Sequence, residues 1–233
     1  LKPETITLVV IDEAHHYSAP SYKKIVQRFP NAKILGVTAT PDRLHKKGMA
    51  KYFESVAFEY SILDGINDGY LAPIRQKIIV LKDLYLDKIR TVAGDFHEAE
   101  LSEMLEQDKH LHAVANYLES ETEGRSTLVF SPSVKCAHRT AGLLNRNDQG
   151  TAVAIDATTP KDERRKKLER FADGEFKYLL NYGVFLEGWD CSRVECVAMA
   201  RPTKSRQVYC LDSDTEVLTK SGWLGRNHLD KIS

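Results

Sequence analysis

Residues 9–16, VVIDEAHH, set two adjacent carboxylates and two imidazoles at the end of an apolar, β-branched run. Neighbouring carboxylates on an apolar strand are costly unless a cation is at hand. An acid at the carboxyl end of a parallel strand also lies where such sheets bind ligands, beside nucleotide phosphates. Asp12 is therefore a candidate Mg²⁺ residue, acting through water, because Mg²⁺ takes few carboxylates plus phosphate oxygens. Glu13 is placed to polarise an attacking water. The alternative is an acidic strand-to-loop turn without a metal. His15 and His16 are sequence neighbours, an arrangement that seldom converges on one metal, and His15 is expected to bond toward the next strand. A second reactive group is Cys210, which opens the polar, β-prone run CLDSDTEVLTKSGW. A thiol there is a candidate nucleophile, being partly ionised near neutral pH; the alternative is an ordinary buried cysteine.

The elements that must position these groups alternate between strands and helices. TITLVVI (5–11) reads as a parallel strand buried on both faces, SYKKIVQRF (21–29) as a short amphipathic helix, and AKILGVTAT (32–40) as a second buried strand. The pattern loosens through 52–76. The mixed, charge-rich segment 77–115 reads as a linker or small inserted element. A second series follows: strand 126–131, helix Val134–Asn145, strand 152–156, a helix from Pro160 with Thr159 as its cap, then strands 176–181 and 194–200. Two α/β units in succession imply two parallel-sheet lobes.

DEAH (12–15) followed by LGVTATPDR (35–43) resembles motifs II and III of the superfamily 2 helicases of the DEAD/DEAH type. TLVFSPSVKCA (127–137) is similar to motif IV, NYGVFLEGWDC (181–191) to motif V, and AMARPTKS (198–205) to the approach to motif VI. The resemblance spans residues 1–209 and implies an α/β fold of two RecA-like parallel-sheet lobes, the first one partial. It also implies ATP and Mg²⁺ as cofactors and nucleic acid, DNA rather than RNA, as partner. Its boundaries are 1–76 for the first lobe, 77–115 for the linker or insert, and 116–209 for the second lobe.

The resemblance assigns roles to single positions. Asp12, Glu13 and His15 belong to the nucleotide site, with Asp12 on Mg²⁺ and Asp12 and Glu13 catalytic. Thr38 and Thr40 look like the hydroxyls that couple nucleotide and nucleic acid; hydroxyls suit this because they both donate and accept. The alternative is strand-end packing of β-branched side chains. Gly188 and Asp190 resemble positions that approach the nucleotide from the second lobe, glycine allowing close backbone approach. Ser131 matches a position that touches nucleic-acid phosphate. Leu186 stands where relatives often carry a backbone-contacting threonine, so that contact departs from the pattern. Arg164 and Arg165 read as a solvated helix face before a phosphate contact.

No GxxxxGK[ST] loop occurs in the 233 residues, and no arginine-rich QxxGRxxR block follows Gln207. The phosphate loop is expected upstream of Leu1. Phosphoryl transfer needs Lys, Mg²⁺ and Arg acting together, so this stretch alone is expected not to turn over ATP. From Cys210 the sequence closely resembles the opening of an intein, giving 210–233 as a short β-rich N-terminal splicing segment. The resemblance implies that Cys210 attacks the carbonyl of Tyr209 to form a thioester, and that a complementary intein segment is a further partner.

Thirty-three basic and 33 acidic residues cancel, so any polyanion contact must come from a local groove and not from bulk charge. Four cysteines without a CxxC pair suit a reducing cytosol, and no run approaches a membrane span. A cytoplasmic location is the expectation. Cys191 and Cys196 read as core thiols.

Overall fold

The computed structural model describes residues 2–39, 52–81, 83–92, 94–184, 189, 191–204, 217–219 and 222–224. Thr40, Gly188, Asp190 and Cys210 lie outside them. The chain divides into two compact units, residues 1–76 with 209–233, and residues 77–208.

In the first unit, β1 (Leu8–Ile11) and β2 (Lys33–Gly36) pair in parallel, with Leu8 opposite Lys33 and Ile11 opposite Gly36. Between them runs α1 (Pro20–Gln27), whose proline sits in the first turn, where its missing N–H costs nothing. Tyr22 and Val26 of α1 pack with Val9, Ile34, Tyr52 and Phe53 on a small core of Ile11, Ala14 and Tyr17. The expected burial of β1 on both faces is corrected here. Val9 and Ile11 face the core, while Leu8 and Val10 are 53% and 57% exposed and Leu35 on β2 is 43% exposed. The helix and aromatic cover lies on one side of the two strands, so the period-2 alternation leaves the other residues outward. Further along, α2 (Ile62–Asn67) starts at a capping box: Ser61 Oγ accepts the Asp64 N–H, and Asp64 accepts the Ser61 N–H.

The second unit is built on four parallel strands, β5 (Thr127–Phe130), β6 (Ala152–Asp156), β7 (Tyr178–Tyr182) and β8 (Cys196–Met199), in the order β6-β7-β5-β8. Alternate residues serve opposite faces. Val129, Ala152, Ala154 and Leu180 join one core with Ala115 and Leu118 of α4 (Asp108–Thr122) and Ala137, Ala141 and Leu144 of α5 (Val134–Asn147). Leu128, Ile155 and Leu179 join the other with Phe171 of α6 (Lys161–Ala172), Phe176 and Trp189. Fully burying one such aliphatic or aromatic side chain is worth roughly 1.5–3 kcal/mol, so these two layers are the unit's main stabilisation. Cys191 packs against the second layer, whereas Cys196 is half-buried on the edge strand β8.

Residues 77–115 do not run as a plain linker. They carry the hairpin β3 (Thr91–Val92) and β4 (Asp95–Phe96), then α3 (Glu98–Leu105) and the start of α4, and bury Ile89, Leu101, Leu105 and Leu111 against Cys136. The cap expected at Thr159 is also corrected. Pro160 takes the cap position of α6, and the Thr159 hydroxyl instead accepts the Asp156 N–H at 3.1 Å. Near the end of the chain, β9 (Val217–Thr219) and β10 (Gly222–Leu224) pair antiparallel.

Candidate nucleotide site and the edges of the sheets

Asp12 and Glu13 follow directly on β1, and the backbone turns sharply there. Glu13 takes a left-handed conformation, φ 48° and ψ 48°, which carries strain for a residue with a Cβ. The turn is pinned from beneath. Ala14 N–H donates to Val37 O at 2.9 Å, Val37 N–H donates to Ile11 O at 2.9 Å, and Ala14 is fully buried. A Cβ on Gly36 would meet the Ala14 Cβ at 2.8 Å and the Phe53 ring at 2.6 Å, so only glycine lets β2 lie this close to the turn.

Above that floor the acids are open. Asp12 is exposed, and its Oδ1 accepts the Glu13 N–H at 2.9 Å. His15 is largely buried, with Nδ1 3.2 Å from Glu13 Oε2 and 3.1 Å from Thr38 Oγ1. One imidazole thus ties the acid after β1 to the hydroxyl after β2. The structure brings Asp12, Glu13, His15 and Thr38 together in the first unit. An exposed carboxylate with one oxygen spent on a backbone N–H fits a hard cation held mainly by water and phosphate. Among the described residues no cluster of three or more His, Cys, Asp or Glu forms a cage able to hold a metal ion by itself.

Ser131 belongs to the second unit, just past β5, and is only 5% exposed; its N–H donates to Asn181 O at 2.9 Å. Arg165 lies on the open face of α6, 3.8 Å from Glu169.

Two arrangements at the carboxyl edge of this sheet escaped the sequence reading. At the end of β6, Asp156 is 2% exposed and accepts the Thr158 hydroxyl at 2.5 Å, the Thr158 N–H at 2.7 Å and His138 Nε2 at 2.7 Å. The Thr158 hydroxyl and then His138 hold its carboxyl down to about 2, overcoming the opposing effect of burial. The signal was an acid ending a strand and followed by Ala-Thr-Thr. After β8, Asp95 of the β3–β4 hairpin accepts the Thr203 hydroxyl at 2.6 Å and the Lys204 N–H at 2.8 Å. Burial works to raise the Asp95 carboxyl, but the Thr203, Lys204 and Phe96 donors outweigh it and leave it lowered. That pairing spans more than 100 residues and has no local signature.

Comparison with known proteins agrees with this architecture. Residues 109–213 match the helicase conserved C-terminal domain, and residues 1–43 match the type III restriction enzyme res subunit. Over these two stretches the chain is similar to helicase and restriction-enzyme domains. IRC3 of Saccharomyces cerevisiae, a protein named for an ATP-dependent helicase, is 28% identical over 214 residues, covering 88% of this chain and 31% of that protein. The type I restriction enzyme EcoAI endonuclease subunit of Escherichia coli is 36% identical over 88 residues, 36% of this chain and 10% of that protein. A fragment structure of an HsdR subunit of a type I restriction enzyme from Vibrio vulnificus superposes with a TM-score of 0.65 at 22% identity, covering 90% of this chain and 40% of that one. The fold is accordingly the mixed α/β, parallel-sheet fold of RecA-like helicase domains. The chain spans less than half the length of these relatives. Among the described residues no helix is long and apolar enough to cross a membrane.

Proposed function

We propose that this chain is part of an ATP-dependent nucleic-acid motor, a helicase or translocase acting on DNA in the cytosol. The observation that carries the reading is the turn after β1, where Asp12 and Glu13 stand open at a parallel strand end and His15 joins Glu13 to Thr38. In this reading Asp12 holds Mg²⁺ through water, next to nucleotide phosphates. The bound cation would supply charge neutralisation at the transferring phosphoryl group. Glu13 takes a proton from the attacking water, its carboxylate lying 3.2 Å from His15 Nδ1. His15 reports the state of that carboxylate to Thr38, which with Thr40 couples nucleotide to nucleic acid. Gly188 and Asp190 complete the nucleotide contacts.

The 233-residue chain alone should not hydrolyse ATP, because its sequence holds neither the glycine-rich phosphate loop nor the arginine block. Joined to both, it should show turnover that rises when single-stranded DNA is added. Turnover indifferent to any nucleic acid would overturn the motor reading. RNA matching DNA as activator would overturn the DNA assignment.

Residues 210–233 we read as the opening of an intein, with Cys210 as the nucleophile on the Tyr209 carbonyl. Support comes from the run Cys210–Trp223 and from the antiparallel pairing of Val217–Thr219 with Gly222–Leu224. A complementary intein segment would be the partner.

A further inference from the structure

Parallel sheets bind ligands outside the carboxyl ends of their strands, and in the second unit residues 90–106 run across three of these four ends. At the exit of β7, the Tyr182 hydroxyl donates to Glu98. At the exit of β5, the Ser102 hydroxyl donates to Pro132 O at 3.1 Å, and Glu106 accepts the Ser133 hydroxyl at 2.8 Å and pairs with Lys135 at 2.8 Å. At the exit of β8, Asp95 takes the Thr203 hydroxyl and the Lys204 N–H, while Lys204 Nζ donates to Thr91 Oγ1 at 2.7 Å and lies 4.6 Å from the centre of the Phe96 ring. The hairpin is itself braced, since Glu100 accepts the Arg90 N–H at 3.0 Å and pairs with the Arg90 side chain. Directed bonds that tie this segment to residues 132–133 on one side and to Tyr182, Thr203 and Lys204 on the other fix a backbone path and not merely a packed surface.

Arg201 lies within this grip. Its charge acts on both Asp95 and Tyr182, yet among the described residues its guanidinium has no hydrogen-bond partner, because Asp95 is spent on Thr203 and Lys204 and Glu98 on Tyr182. A guanidinium left uncommitted at the carboxyl edge, half-buried and two residues before the Thr203–Lys204 anchor on Asp95, is the group best suited to bidentate phosphate contact. We propose that residues 90–106 are a strap which, through Asp95, presents Arg201 to a phosphate group bound at this edge. Arg201 makes the contact, and Asp95 is a positioning residue that acts through the 201–204 backbone. The inference rests on the nucleotide and nucleic-acid reading above. A nucleotide phosphate and a nucleic-acid phosphate share the chemistry.

The test uses the 233-residue chain with two probes, a fluorescent ATP analogue and fluorescein-labelled dT20, read by anisotropy. Arg201→Ala should weaken one probe by about tenfold, the order expected from losing one charge-assisted hydrogen bond pair. Loss on the ATP analogue alone assigns a nucleotide phosphate, and loss on dT20 alone assigns a backbone phosphate. Arg201→Lys should recover only part, since lysine lacks the fork. Asp95→Asn should weaken the same probe, and by hydrogen exchange it should speed the Lys204 amide about tenfold while the β5 amides keep their protection. Thr203→Val, which removes one hydroxyl only, should shift both readouts in the same direction if Asp95→Asn fails to fold. Equal binding by Arg201→Ala and wild type, or binding of neither probe to wild type, overturns the phosphate contact. An unchanged Lys204 amide in Asp95→Asn overturns the strap. ATP turnover that persists in the longer protein while these differences vanish would sink this inference and leave the motor reading standing.

Discussion

Replacing Gly36 by alanine adds one methyl group at the point where β2 underlies the Asp12–Glu13 turn. The added Cβ would sit 2.6 and 2.7 Å from the Phe53 ring edge and 2.8 Å from the Ala14 Cβ. Carbon atoms normally rest about 3.5–4.0 Å apart, so something must retreat by roughly 1 Å. The Phe53 ring can swing. Ala14 cannot move without dragging the backbone that carries Asp12 and Glu13, since its N–H is held by Val37 O at 2.9 Å. Overpacking of this kind costs about 1–3 kcal/mol. For a unit of this size each kcal/mol lowers Tm by roughly 4–8 °C. Hydrogen exchange at the Val37 amide, which bonds Ile11 O, reads the local cost, with the Leu180 amide of the second unit as the internal control. Gly36→Ala should lower Val37 protection by about tenfold to a hundredfold, the equivalent of 1–3 kcal/mol, and leave Leu180 unchanged. In a Phe53→Leu background the added penalty should shrink, because two of the three short contacts disappear. Wild-type protection at Val37 in Gly36→Ala would refute the claim that close approach of β2 shapes the turn.

Asp156 gives a pH prediction. Its folded carboxyl lies at about 2 against an ordinary 3.8, so its stabilising contribution is complete above about pH 4 and is lost as pH falls through about 2. A difference of nearly two units corresponds to about 2.5 kcal/mol at most. With the His138 side chain 51% exposed and its pairing screened, about 1–2 kcal/mol is expected. Urea midpoints of wild type and Asp156→Asn should therefore converge between pH 4 and pH 2, and a constant gap across that window would contradict the assignment. At the other end of the chain, adding a complementary intein segment should make the Tyr209–Cys210 bond cleavable by thiol. Cys210→Ala should block this and Cys136→Ala should not, Cys136 being buried with its thiol pushed up by desolvation. Cleavage at the same bond in Cys210→Ala would end the intein reading.

The sheet of the second unit was legible because both its faces are covered. Strand-length apolar runs such as TLVF and YLL appear where buried parallel strands must be, and the reading of 152–156 matches β6 residue for residue. β1 misled for the complementary reason. LVVI looks like a strand buried twice, but periodicity reports what a strand could bury and not what covers it, and Val10 is left 57% exposed. The helices α3 and α4 were lost in a charged stretch. Their buried residues Leu101, Leu105 and Leu111 are spaced for a helix face but diluted by Glu, His and Lys. The turn acids could be read from local sequence, because a strand-end carboxylate announces its position. The strap could not, since Asp95 is joined to Thr203 and Lys204 across more than 100 residues of sequence. Thr159 shows the limit of cap rules: its hydroxyl had a nearer donor in the Asp156 N–H than in the helix it precedes.

The most direct test of the motor reading is Glu13→Gln, made in the chain joined to a phosphate loop and an arginine block. The change keeps the size of the side chain and its contact distance to His15, 3.2 Å in the wild type, but removes the base. Fluorescent-ATP affinity should stay within about twofold while single-stranded-DNA-stimulated turnover falls by about 10²-fold or more, the range typical of a lost general base. Undiminished turnover in Glu13→Gln would contradict the account at its centre.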